Sequence, residues 1–136
     1  MTPDTPDTPD TPGEGGTTPS QPAAPDPNEK VYVTIINHND SGIGMVHSAE
    51  KIRGMLLGSN PRAKEANISW TNYNKERPTA EELKNRIADQ IAKVPNDGLY
   101  IFYYGGHGGN GKVNGVKCQY LSLPNSKGKI CDHEIW

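Results

Sequence analysis

The run Val31–Ile36, VYVTII, constrains this chain more than any other stretch. Val31, Val33 and Ile35 alternate with Tyr32 and Ile36, so an extended segment here is nearly apolar on both faces. Such a strand must be covered on both sides, as in a parallel sheet with helices above and below. The run breaks at Asn37-His38-Asn39-Asp40-Ser41-Gly42, a loop by composition. A second run, Leu99 to Tyr104, goes straight into five glycines that surround His107: LYIFYYGGHGGNGKV.

The segments between these runs supply the covering elements. Met45, Ala49, Ile52 and Leu56 recur at helical spacing, with Leu57 widening the stripe. Gly54 weakens that helix by about 1 kcal/mol relative to alanine, and Gly58-Ser59-Asn60-Pro61 stops it. Residues 66–74, ANISWTNYN, read as a strand with Ile68 and Trp70 on one face. Thr79 and Glu82 form a capping box after Pro78, and Leu83, Ile87, Ile91 and Val94 line one face of the helix they start. Pro95-Asn96-Asp97-Gly98 closes it. Strand, helix, strand, helix, strand predicts an α/β fold with right-handed parallel connections. Beyond the glycines, Val113-Asn114-Gly115-Val116 predicts a hairpin turn and CQYLSLP a short strand. KICDHEIW predicts the start of a third helix, with Asp132 near its N-terminus.

Residues 1–29 differ in kind. They are a Thr-Pro-Asp repeat, a glycine patch and more Pro, Ala and Ser, without one aromatic or branched aliphatic side chain. Such a segment cannot bury enough apolar surface to offset its chain entropy, which predicts a disordered, semi-stiff linker ahead of one folded domain over residues 30–136. Residues 1–28 carry five acids and no base, whereas residues 29–136 carry fourteen bases against eleven acids. That small excess makes no basic stripe, so nucleic acid is not the expected partner. No apolar run approaches the roughly 18 residues of a membrane span. No leader is present, and the spacer is compatible with a surface-tethered or secreted protein, so the compartment stays open. Two cysteines, Cys118 and Cys131, make neither a disulfide framework nor a zinc-ligand pattern, and each reads as a structural thiol.

His107 is the residue with chemistry to offer. Ligands of open parallel sheets bind beyond the carboxyl ends of the strands, and His107 lies three residues past Tyr104. Gly105, Gly106, Gly108 and Gly109 are expected to take positive φ, to allow close approach of a substrate and to leave a peptide N–H for a developing negative charge. An imidazole there can move protons near neutral pH. The alternative is a turn with a merely solvated histidine. Residues 106–113 also approach the phosphate-binding G-x-x-x-x-G-K-[ST] loop, but Val113 replaces the hydroxyl, and turn and strand follow in place of a helix. A metal set of Cys131, His133 and His107 has suitable ligand types without recognisable spacing. His38 and His47 read as a loop polar group and a helix-surface residue.

YIFYYGGHGG, after a β-α-β-α run opening with KVYVTII, resembles the caspase-like cysteine peptidases of clan CD (peptidase C14), above all metacaspases and paracaspases. Gly105 stands at the small-residue position of their F-Y-Y-[SA]-G-H-G pattern. RPTAEELKNRI is similar to the start of their second helix, and YLSLPNSKGKICDHEI to the segment leading to their third. The resemblance, over Lys30 to Trp136, implies a caspase-like three-layer α/β/α fold with a mainly parallel central sheet, incomplete at the C-terminus. It implies peptide-bond hydrolysis by a Cys–His dyad, with His107 assisting the thiolate and protonating the leaving amine, and the Gly108 amide helping to bind the oxyanion. The family's nucleophile follows the third helix, so neither Cys118 nor Cys131 fits it, and these residues alone are expected to be inactive and to need the rest of the domain to avoid aggregating through an unpaired strand edge. Asp40, the early acid after the first strand, is expected to contact a basic substrate residue. No cofactor is expected, apart from the Ca²⁺ that activates some metacaspases. The expected partners are a peptide or protein substrate and the remainder of the domain. A catalytically inactive pseudo-peptidase or interaction module is the alternative.

Overall fold

A computed structural model of the chain describes residues 26–39, 44–124 and 127–135. The doubly apolar run becomes the central strand. Val31–Asn37 (β1) pairs in parallel with Ile68–Asn72 (β2) on one side and Leu99–Gly105 (β3) on the other. Val33 and Ile35 bury themselves with Ala49, Leu56 and Ala63, under the helix Met45–Leu57 (α1). Ile36 points the other way, into Tyr73, Leu83 and Ile87, under the helix Ala80–Ala92 (α2). The two helices thus cover opposite faces of one parallel sheet.

The start of α2 follows its sequence closely. Glu82 N–H donates to Thr79 Oγ1 (3.2 Å), and Thr79 N–H donates to Glu82 Oε1 (2.8 Å), which closes the capping box. The Thr79 amide holds the Glu82 carboxyl below its usual range. One turn from the other end, buried Gln90 donates through Nε2 to the carbonyls of Val33 (2.9 Å) and Asn67 (2.6 Å), pinning the helix across β1 and the approach to β2.

The structure departs from expectation after β3. The glycine tract is not a pliable loop but a strand, His107–Val113 (β4), antiparallel to Val116–Ser122 (β5). Asn114 (φ 51°) and Gly115 (φ 81°) make the expected tight turn between them. Gly105, Gly106, Gly108 and Gly109 do not adopt the positive φ expected of them. What they supply is room: a Cβ on Gly109 would stand 2.7 Å from Tyr120 Oη, and one on Gly108 2.8 Å from the Tyr120 carbonyl oxygen. The partner strand, with its own aromatic ring laid against the glycines, overrides their weak strand propensity. Because strand follows strand, the phosphate-loop reading has no helix N-terminus to use.

The predicted third helix is also absent over the described residues. Lys129–Cys131 (β6) pairs with β5, and only a 3₁₀ turn, Asp132–Glu134, follows. Ile130 and Ile135 flank that turn and are both buried in the core beneath α2, which fixes the chain direction that a helix would have had to leave. Glu134 accepts from the Cys131 amide (2.9 Å) and from Lys84 Nζ of α2 (3.0 Å). Cys118 and Cys131 are not separate thiols; they form a disulfide between β5 and β6, with Cα atoms 5.7 Å apart.

The folded part begins slightly earlier than expected. Asp26 caps a 3₁₀ turn, Pro27–Lys30, and Lys64 Nζ meets Glu29 Oε1 at 2.7 Å, so residues 26–29 belong to the domain and not to the linker. Residues 1–25, the rest of the expected linker, lie outside the described residues. Among the described residues, no helix is long and apolar enough to cross a membrane.

Closing a loop of this size by a disulfide contributes about 3 kcal/mol. Replacing both cysteines by serine is expected to lower unfolding free energy by about that amount, read from urea denaturation of the two proteins side by side.

Candidate active site

Parallel pairing brings the carboxyl ends of β1 and β3 level, with Asn37 opposite Gly105. The ladder runs one residue further, since the His38 amide donates to the Gly105 carbonyl at 2.9 Å. Asn37 secures this corner. Fully buried, it donates through Nδ2 to the His38 carbonyl (2.9 Å) and to Asn72 Oδ1 (3.0 Å), and its Oδ1 accepts from Trp70 Nε1 (2.5 Å). The Tyr73 amide adds a bond to the Asn37 carbonyl at 3.1 Å. The backbone at the end of β1 is therefore held from both neighbouring segments.

His38 lies just past β1, a loop polar group as its neighbours suggest, but it is buried, at 3% exposed. Its Nε2 lies 2.6 Å from Tyr104 Oη and 3.4 Å from the His107 amide nitrogen. Tyr104 Oη in turn reaches the carbonyls of His107 (2.6 Å) and Ser122 (3.1 Å). The rings of His38 and His107 meet edge to face at 5.1 Å, and those of His38 and Tyr104 at 5.6 Å. His107, exposed, lines a cleft of about 350 Å³ together with His38, Asn39, Ser122, Leu123 and Pro124. An exposed imidazole beside this cleft has the reach and the chemistry to give or take a proton from a bound group.

Gly106 is what allows this arrangement. A Cβ there would stand 2.1 Å from His38 Cδ2 and 2.7 Å from Tyr104 Oη. At Gly105 the nearest atoms are Tyr103 Oη at 3.1 Å and Met45 Sδ at 3.4 Å, the far ends of adaptable side chains.

Of the residues singled out from the sequence, His107 lies at the cleft and Gly108 is the next residue of β4, in register with Leu121. Asp40 lies outside the described residues. His47 is exposed on α1 and His133 on the 3₁₀ turn. Cys131 has its sulfur bonded to Cys118, so the set of Cys131, His133 and His107 has no thiolate to offer a metal, and the described residues hold no cluster of three metal-ligating side chains. His38, Tyr104 and Asn37 were not singled out. One signal was available for His38: it directly follows a strand parallel to the one that precedes His107, and such strand ends share a rim.

No protein-family model matches the chain, and neither a curated protein nor a solved structure does.

Burial shapes the phenols behind the site. Desolvation pushes the Tyr73 hydroxyl up to about 12, and Tyr73 Oη donates to the Pro78 carbonyl at 2.9 Å. Tyr104 is raised as well, first by burial and then by Tyr73, against the opposing hydrogen bond to Ser122. A raised pKa means the folded state keeps a proton that the unfolded chain releases near the ordinary tyrosine value of about 10. This stabilisation is complete below pH 10 and is lost as pH rises through about 12. Thermal unfolding followed between those pH values is expected to show a falling midpoint, with a shallower fall in Tyr73→Phe. Separately, Gly106→Ala is expected to cost roughly 1–3 kcal/mol by overpacking, with Gly105→Ala costing clearly less in the same denaturation assay.

Proposed function

We propose that residues 30–136 are the histidine-bearing N-terminal part of a caspase-like cysteine endopeptidase. The observation that carries this reading is the position of His107: an exposed imidazole at a cleft beyond the carboxyl end of β3, on a peptide whose carbonyl accepts from Tyr104 Oη. The α/β architecture and the FYYGGHG stretch support it together. In this reading His107 assists a thiolate and returns the proton to the leaving amine, while the Gly108 amide helps to bind the oxyanion. The sulfur must come from elsewhere, because both cysteines of this sequence are joined to each other. β3 offers the place: it is the outer strand of the order β2-β1-β3, and a strand laid alongside it in parallel would end beside His107. Asp40 is assigned to a basic substrate residue, and the substrate class is a peptide or protein.

A pseudo-peptidase or interaction module would keep the same cleft and lack the thiol. The two separate in one assay, in which the complete gene product is offered Arg-, Lys- and Asp-reporter peptides. Cleavage that falls 10²- to 10⁴-fold in His107→Ala, the range of general acid–base catalysis, is the expected result. Absence of cleavage, or cleavage indifferent to His107→Ala, overturns the peptidase reading. Loss of Arg preference in Asp40→Ala is the expected sign of its substrate contact.

A further inference from the structure

We propose that His38 and Tyr104 are positioning residues for His107, joined in a proton-ordered chain that runs from the His38 ring through the Tyr104 hydroxyl to the His107 carbonyl. The inference rests on the peptidase reading for its catalytic consequence, though not for the chain itself.

Counting protons gives the direction. Tyr104 has one hydroxyl proton, and three acceptor positions lie around its oxygen: His38 Nε2 and the His107 carbonyl, each at 2.6 Å, and the Ser122 carbonyl at 3.1 Å. If that proton went to His38, two carbonyl oxygens would face a phenol oxygen at 2.6 and 3.1 Å with no hydrogen between them. Carbonyls cannot donate, so that arrangement is repulsive. If His38 carries its proton on Nε2, it donates to Tyr104 Oη, which donates to the His107 carbonyl, and each of the two shortest contacts holds one proton. The long 3.4 Å approach of the His107 amide to Nε2 is then the contact given up.

Three further features agree. The chain is shielded, since His38 is 3% exposed and burial raises the Tyr104 hydroxyl, so the phenol stays protonated as a donor. His38 is itself fixed, with its amide on Gly105 and its carbonyl on Asn37 Nδ2. Gly106, between the two histidine contacts, leaves the space both side chains occupy. Among the described residues, Tyr73, Tyr104 and His107 pack their rings against the His38 ring.

The consequence is mechanical. A displacement of about 1 Å in a catalytic group costs on the order of 10²-fold in rate, and the peptide of residue 107 is what the chain grips. His38 and Tyr104 therefore act on turnover and not on substrate affinity.

The test has two arms. In the complete gene product, nitrogen-15 spectra of the imidazoles are expected to show His38 with its proton on Nε2, and amide exchange at His107–Gly108 is expected to accelerate at least about tenfold in Tyr104→Phe with the fold intact. In the complete gene product, Tyr104→Phe and His38→Ala are each expected to lower kcat roughly 10- to 100-fold with KM little changed, and the double variant to be no worse than either single one. His38→Gln, whose amide can still donate to Tyr104 Oη, is expected to recover part of the loss and stands in if His38→Ala does not fold. A proton on Nδ1 alone, unchanged exchange in Tyr104→Phe, or additive losses in the double variant would overturn the proposal. If His107→Ala abolishes cleavage while Tyr104→Phe leaves kcat intact, the peptidase reading stands and the positioning role falls. If the complete product cleaves nothing, the peptidase reading falls, and the spectra and exchange alone decide whether the chain holds residue 107.

Discussion

The hydrogen bond from the His38 amide to the Gly105 carbonyl carries the β1–β3 ladder one step past the last paired residues, and the candidate site follows from that step. Parallel strands in register end together, so a side chain leaving β1 and one leaving β3 meet on one rim whatever lies between them in sequence. Residues 38 and 107 are 69 positions apart and their rings meet at 5.1 Å. The apolar faces of β1 make this register firm: a slip of one residue would turn Val33 and Ile35 away from α1 and expose them. Core packing and site geometry are therefore set by the same pairing.

The glycines acquire a different meaning once their neighbours are known. They are a request for space, not for unusual dihedrals. Gly106 yields to His38 and Tyr104, whereas Gly108 and Gly109 yield to Tyr120, whose ring also carries Lys129 Nζ at 4.5 Å. One side of the tract is shaped by the residues around the candidate catalytic histidine and the other by the second sheet. β4 thereby connects the cleft to the hairpin.

Much of the parallel layer was legible because its signals are local. β1 and β3 are short apolar runs with clear stops, α2 carries its own capping box, and Asn114-Gly115 specifies a tight turn by its dihedrals alone. The failures share a cause. A glycine strand exists only because β5 pairs with it, the disulfide depends on a register set by the hairpin and β6, and the third helix gave way to the burial of Ile130 and Ile135. For the site, a histidine at a strand end was readable from the pattern. The burial of His38 and its contact with Tyr104 were not, since they arise from pairings across more than sixty residues.

The bond between Cys118 and Cys131 ties the second sheet to its chemical surroundings. Such a bond persists in oxidising compartments and is kept open by the thiol pools of the cytosol. Transfer of the protein between those settings would leave the helix-covered parallel layer untouched while loosening the β5–β6 seam, and with it the Ser122 end of the cleft that His107 faces.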